Sequence, residues 1–368
     1  MAEIKGRSFQ PNYAVPPGET LRETLEFLGM TQAQLAERAG RPKKTINEII
    51  SGKAAITAET ALQFERVLGI PASFWSNLER NYQETLARLK EEMRLEPQME
   101  WLKKFPTAAL TKFGWLAKEN SPVKKLKALL NFFGVAGVEE WTALWQSPQA
   151  AFRSSVSFQR NPYAVAAWLR QGEIEAQKNE CKPYNLSLFR KSLDNIRPLT
   201  IEPPEMFEQR MIRLCAEAGV VVVFVRELPG TRVYGATRWL TPLKALIQLS
   251  LRRKTDDHLW FTFFHEVGHI LLHGKRDVFI EAKGEGCRET NSNDKECQAD
   301  QFAQDSLIPP DKYQTFKKAG QFTLTAIQQF AQELGIAPGI VVGRLQHDEV
   351  IPFLKGNMLK KRFRFSEN

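Results

Sequence analysis

Cysteine and histidine are scarce in this 368-residue chain, which has four of the first and five of the second. No two of Cys181, Cys215, Cys287 and Cys297 form a CxxC pair, so neither a disulfide scaffold nor a zinc ribbon is expected. No segment approaches the roughly 20 apolar residues that cross a bilayer, and Gly219–Val225 is far too short. Met1–Arg7 lacks the apolar core of a secretory leader, so the cytoplasm is the expected compartment and no membrane partner is expected. Lys+Arg number 51 against 42 Asp+Glu, a net charge of +9, which permits a polyanionic partner without requiring one. A hydrophobic content of 43% excludes a mostly disordered chain.

Four of the five histidines (His258, His265, His269, His273) fall within one short stretch, and only His347 lies elsewhere. Around them the chain divides by pattern. Residues 17–80 read as short helices punctuated by Gly29, Gly40, Gly52 and Gly69. Residues 98–195 read as a helical middle region without a chemical motif. Its Trp101, Trp115, Trp141, Trp145 and Trp168 fit core positions better than base-stacking ones. From residue 196 to 350 helices surround strands predicted at Val220–Val225, Val233–Trp239 and Lys244–Leu249. A basic tail, 351–368, carries Lys355, Lys360, Lys361, Arg362 and Arg364 and reads first as solvated, with phosphate contact the alternative.

Residues 31–52 have the layout of two helices joined by a tight glycine-containing turn. Thr31 and Gln34 form a capping-box pattern at the first helix. In such a motif the second helix enters the major groove, and its face here carries Lys43, Lys44, Thr45, Asn47 and Glu48. Arg41, Lys53 and the helix start at Gln32 are placed to meet phosphates, which cations and helix N-termini attract. An ordinary helical hairpin with solvated charge has the same spacing.

The PGE-x-L-R-E opening at Pro17–Glu23, the SGKAAIT segment and the terminal SFWSNLE closely resemble the Xre/Cro-type domain of HigA-like antitoxins. The resemblance covers residues 12–85. It implies a five-helix, lambda-repressor-like domain that binds operator DNA, usually as a homodimer on a palindrome. Pro42 stands where the family usually has a serine N-cap.

His265-Glu266-Val267-Gly268-His269 is an HExxH motif inside an apolar helical run. Histidines at i and i+4 share one helix face and can reach one zinc ion, while Glu266 can take a proton from a zinc-bound water. Such a site needs a third protein ligand. His273 lies eight residues beyond His265, a rise of about 12 Å, and the metzincin spacing of a later histidine is absent. Glu296 on the next predicted helix is the better candidate, giving a His₂Glu set of the thermolysin type. His258 and His273 then read as structural or outer-sphere, and Cys297 as a packed thiol.

HEVGHILLH at 265–273 and ECQADQFAQDSLIPP at 296–310, with the helix–strand lead-in from 203 to 252, resemble the ImmA/IrrE family of metallopeptidase-like proteins. The resemblance implies zinc on His265, His269 and Glu296, with Glu266 as general base. The family often has Glu and Asn where this chain has Gln298 and Asp300. The strand Lys244–Leu249 either pairs with an extended peptide substrate or is purely structural. Residues 327–345 again look like helix–turn–helix, but the second helix is almost uncharged and reads as part of the peptidase-like fold.

The expected fold class is therefore α+β and mainly helical: a five-helix N-terminal domain, a helical middle, and a zincin-like HExxH domain with a small sheet. The leading functional expectation is a DNA-binding regulator, antitoxin- or repressor-like, whose metallopeptidase-like half cleaves a regulatory protein such as a repressor or antitoxin relative. A cognate toxin is a further expected partner. Two alternatives remain: a purely DNA-binding regulator with a structural or silent zinc site, and a dedicated protease that its helix-turn-helix domain only localises.

Overall fold

The computed structural model describes residues 13–145, 161–275, 279–282 and 295–365. Residue 12, where the first domain is expected to begin, and 366–368 in the tail lie outside the described residues. Two compact units result, residues 1–99 and 100–368. Among the described residues no helix is long and apolar enough to cross a membrane.

In the first unit five helices form as the sequence pattern requires: α1 (Pro17–Phe27), α2 (Gln32–Ala39), α3 (Lys43–Ile50), α4 (Ala58–Leu68) and α5 (Ala72–Leu95). Thr31 and Thr57 cap α2 and α4 through their side chains, and left-handed Gly40 and Gly69 end them. The full Thr31/Gln34 capping box is present. Pro42 occupies the N-cap of α3 without a side-chain bond, yet its carbonyl accepts from Thr45 and Ile46 and the helix starts normally. A serine cap is thus dispensable here. Leu21, Leu35, Ile46, Ala61, Phe64 and Trp75 are fully buried and form the core. Gly18 allows α1 to meet the end of α3, because a Cβ there would strike the carbonyls of Ile49 and Ile50.

In the second unit a four-stranded sheet, ordered β1-β3-β2-β4, comprises β1 (Val220–Phe224), β2 (Val233–Thr241), β3 (Lys244–Leu249) and β4 (Phe279–Ala282). β1 and β3 run parallel, while β2 is antiparallel to both its neighbours. β3 is therefore central and paired on both sides, so the expectation that it could accept a peptide strand is corrected: its backbone groups are already in ladders. Among the described residues the edges are β1 and β4. Four-residue β4 is too short to show a period-two pattern and was not expected from sequence.

The α-helices of this unit, continuing in chain order, are α6 (Met99–Leu102), α7 (Thr107–Lys112), α8 (Pro122–Phe133), α9 (Val138–Trp145), α10 (Pro162–Lys178), α11 (Leu186–Ile196) and α12 (Pro204–Glu217). After the sheet's first three strands come α13 (Asp256–Leu272), α14 (Lys295–Leu307), α15 (Pro310–Ala319), α16 (Leu324–Leu334) and α17 (Pro338–His347). Side chains alternate across the sheet. Val220, Val222, Ala245, Ile247 and Leu249 join the core containing Phe263, Phe264 and Val267 of α13. On the opposite face Gln248 donates to the Trp168 carbonyl and Arg238 to that of Leu169, both on α10. Glu173 of α10 pairs with Arg238 at 2.6 Å. The middle helices thus supply the sheet's second cover. Trp101, Trp141, Trp145 and Trp168 are buried in this unit, as core residues rather than stacking platforms, and Trp115 is half-buried.

Helix α17 lies inside the core through Ile340, Val341, Val342 and Leu345, which excludes it as a groove-entering helix. The tail is solvated only in part. Thr255 pairs with Arg362, and the Lys254 carbonyl accepts from Phe363. Lys360 forms a buried ion pair with Asp257 at 2.6 Å, and Phe363 is buried against Phe207. Alternating Phe363 and Phe365 with cations made the segment look uniformly polar, although one ring is core. Its exposed cations are Lys355, Lys361, Arg362 and Arg364.

Two substitutions probe this packing. Phe363→Ala is expected to lower unfolding free energy in urea by about 3–5 kcal/mol, whereas a solvated tail predicts a change within about 0.5 kcal/mol. At Gly268 an added Cβ would lie 3.1 Å from Ala299 Cα and 3.3 Å from Phe302 Cδ1, so α13 and α14 meet there. Gly268→Val is expected to cost about 1–3 kcal/mol by overpacking, read as a lowered melting temperature.

Candidate metal centre and helix-turn-helix surface

The first unit presents its expected residues unevenly. Ile46 and Ile49 anchor α3 in the core, which leaves Lys43, Lys44 and Asn47 exposed on the outer face. Thr45 and Glu48 are half-buried on the flanks, and Lys44 approaches Glu48 at 3.8 Å. Lys53 is exposed beyond the helix end. Gln32 is half-buried in the first turn of α2, where unsatisfied backbone N–H groups favour an anion. Arg41 is drawn away toward α4: its Nη2 pairs with Glu59 at 2.8 Å and its Nε donates to Gln63 at 2.6 Å. Its charge is therefore less available than that of its neighbours. The 22-residue separation of Arg41 and Gln63 hid this contact from sequence reading.

In the second unit α13 carries His265, Glu266 and His269 into the core, where all three are buried. The two imidazole Nε2 atoms lie 3.0 Å apart. Helix α14 brings Glu296 to them, its Oε2 at 3.2 Å from His265 Nε2 and 3.5 Å from His269 Nε2. One donor atom from each of the three lies within 4.8 Å of the others. Gly268 is what lets α14 approach closely enough for this.

Each imidazole is held from behind. His265 Nδ1 meets Asp300 Oδ1 at 2.8 Å, and His269 Nδ1 meets His273 Nδ1 at 3.0 Å. His273 Nε2 in turn meets Gln298 Oε1 at 3.2 Å. The Phe279 ring of β4 stacks on His269 with centroids 3.8 Å apart. Burial pushes the His269 pKa down to about 4, so this ring is neutral at pH 7. Burial alone would raise the Glu296 pKa, but hydrogen bonding to His265 and His269 outweighs it and holds the carboxyl well below its usual range. Two Nε2 atoms and a carboxylate oxygen converging on one point suit a small divalent cation of zinc type. The donor set fits.

Glu266 is fully buried, and its backbone carbonyl accepts from Thr237 Oγ1 of β2. Its carboxylate rests over Gly235, where a Cβ would stand 2.6 Å from Oε1. Gly235 therefore makes the room that the acid occupies. Among the other histidines, His258 contacts Arg253 at 2.9 Å with its pKa pushed by burial to about 4, and exposed His347 contacts Asp348. Neither belongs to the three-residue cluster.

The resemblance had marked Gln298 and Asp300 as positions around the ligands without giving their partners, and sequence reading did not assign Gly235, Gly268 or Phe279 at all. Asp300 was within reach, since i,i+4 from Glu296 shares its helix face. The glycines and Phe279 depend on tertiary approach and left no local signal. Cys297 needs a correction: it is disulfide-bonded rather than a packed free thiol, its partner lying outside the described residues, while Cys181 and Cys215 are free.

Comparison with known proteins follows the same division. The helix-turn-helix family profile matches residues 21–75, and that of the IrrE N-terminal-like domain matches residues 215–346. Virulence-associated protein I of Dichelobacter nodosus is 39% identical over 70 residues, 19% of this chain and 65% of that protein. Antitoxin HigA-1 of Vibrio cholerae is 34% identical over 83 residues, 22% of this chain and 78% of the relative. Among solved structures, an addiction module antidote protein of the HigA family from Coxiella burnetii is 35% identical, covering 23% of this chain and 92% of its own, with a TM-score of 0.22. Pseudomonas aeruginosa antitoxin HigA, solved with the higBA promoter, is 29% identical with the same coverages and TM-score. These relatives thus match the first unit, and the second profile matches residues 215–346 of the second. By its N-terminal unit the chain belongs to the HigA-type helix-turn-helix family, and in the same polypeptide it carries an IrrE N-terminal-like domain.

Proposed function

We propose that this protein is a cytoplasmic, DNA-binding regulator of antitoxin or repressor type, acting as a homodimer on an operator. Its second unit is a zinc metallo-endopeptidase that cleaves a regulatory protein. The observation that carries the enzymatic half is the convergence of His265, His269 and Glu296 beside buried Glu266. The DNA-binding half rests on Lys43, Lys44 and Asn47 standing exposed on a helix whose other face is core.

In this reading His265, His269 and Glu296 hold zinc, and Glu266 is the general base. Zinc so held supplies a Lewis acid for a peptide carbonyl and lowers the pKa of a bound water toward ~7. Glu266 accepts the proton released by the attacking water and delivers it to the leaving amine. Burial keeps its carboxylate away from bulk solvent, and Gly235 fixes where it stands. Asp300 orients His265 by accepting from Nδ1–H, which leaves Nε2 with its lone pair directed at the cluster. Exposed cations on the first unit neutralise backbone phosphates, while Asn47 and Thr45 face base edges.

Two experiments test the two halves. A fragment from the protein's own upstream region is expected to shift at moderate salt. Lys43→Ala/Lys44→Ala should then weaken binding and flatten the salt dependence by ~0.9 log units per lost phosphate contact; no shift with the wild type contradicts the regulator. Protein purified without chelator is expected to contain about one zinc per chain, removed by His265→Ala. With candidate repressors as substrates, the wild type should give fragments that Glu266→Gln does not; identical fragments from both would remove Glu266 from the role of base.

A further inference from the structure

We propose that His273 and Gln298 form a positioning relay that selects the tautomer of His269, so that its Nε2 lone pair faces the metal cluster. The proposal rests on the zinc reading above for its purpose, but the geometry of the relay stands without it. Gln298 presents Oε1, an acceptor only, to His273 Nε2 at 3.2 Å. As an N–H···O hydrogen bond, that contact puts a proton on His273 Nε2. The relay takes His273 as the neutral imidazole, with one N–H and one lone pair, which leaves its Nδ1 as an acceptor. It faces His269 Nδ1 at 3.0 Å, and His269 must supply that proton. The remaining nitrogen of His269, Nε2, then carries the lone pair, and it is this atom that lies 3.0 Å from His265 Nε2 and 3.5 Å from Glu296 Oε2.

Helix α13 ends where the relay needs it. His273 is the C-cap residue with extended backbone (φ −116°, ψ 169°), four positions after His269. Gln298 comes from α14, two positions after Glu296. One short stretch of α14 thus furnishes the third candidate ligand, the support for His265 through Asp300, and the end of the relay to His269.

The two supports differ in charge. Asp300 is a carboxylate acting directly on His265, whereas His269 is reached through a second imidazole that terminates on a neutral amide. The supporting field is consequently stronger on His265, and the relay side can be strengthened by substitution. Gln298→Glu places a carboxylate at the end of the relay and should tighten zinc binding. Gln298→Leu removes the acceptor and should weaken it.

His273→Phe separates hydrogen bonding from packing. The His273 ring packs against His269 at 5.0 Å and Phe279 at 5.2 Å, contacts a phenyl ring can keep. With only five histidines, the full chain labelled with ¹⁵N-histidine gives a spectrum in which each ring can be assigned by substitution. In zinc-stripped wild type the expected spectrum shows His269 protonated at Nδ1 and unprotonated at Nε2, with the Nε2–H form appearing in His273→Phe. In competition with a chromophoric chelator, His273→Phe is expected to bind zinc about 10–100-fold more weakly, with Gln298→Glu tighter than wild type. His269 carrying Nε2–H in the wild type would overturn the relay, as would a His273→Phe zinc affinity within about twofold of wild type. If His273→Phe does not fold, Gln298→Leu decides by the same two readouts. Should the wild type bind no zinc, the zinc reading fails, and the tautomer spectrum alone decides the relay.

Discussion

The second unit is organised around the close approach of two helices at Gly268 and Ala299. Helix α13 is buried along most of its length, so the polar groups it carries must find partners inside the core or destabilise it. For the histidines those partners come from α14, while Asp257 pairs with Lys360 of the C-terminal segment. Without a side chain at Gly268, α14 comes near enough for Glu296 and Asp300 to reach His265 and for Gln298 to reach His273. A bulkier residue would separate the helices and leave buried imidazoles and carboxylates facing an apolar gap. The spacing between the helices therefore governs both the local stability and the candidate chemistry.

The sheet holds α13 from the other side. Central β3 and its neighbours present valine, isoleucine and leucine to α13, and Thr237 ties β2 to the helix backbone at Glu266. The opposite face carries Gln248 and Arg238 into contact with α10, where Glu173 pairs with the guanidinium. The middle helices are thus part of the scaffold that fixes the HExxH helix. The C-terminal segment adds a clamp at the start of α13, through the Lys360–Asp257 pair and buried Phe363.

Much of this was legible locally. Helix periodicity, the Thr31 capping box, glycine stops and the β-branched run at Val220–Val223 each follow from interactions within a few residues, and each element formed close to its expected bounds. The i,i+4 histidines and a carboxylate on the following helix were likewise readable, because helix geometry alone places them on facing surfaces. What was not legible depends on tertiary approach. Gly235 under Glu266, Phe279 on His269, Arg41 turned toward Glu59, and Phe363 returning to Lys254 join residues distant in sequence. Charge composition misled at the tail for the same reason: Lys360 looks solvated until its buried partner is known.

The proposed account joins a DNA-facing unit to a metal-dependent one, and its central claim is the identity of the zinc ligands. Zinc-edge X-ray absorption on the purified full-length protein tests that claim most directly. The account predicts a shell of nitrogen and oxygen only, with imidazole nitrogens at about 2.0–2.1 Å and no sulfur. A sulfur scatterer at about 2.3 Å, or a first shell without imidazole, would contradict ligation by His265, His269 and Glu296.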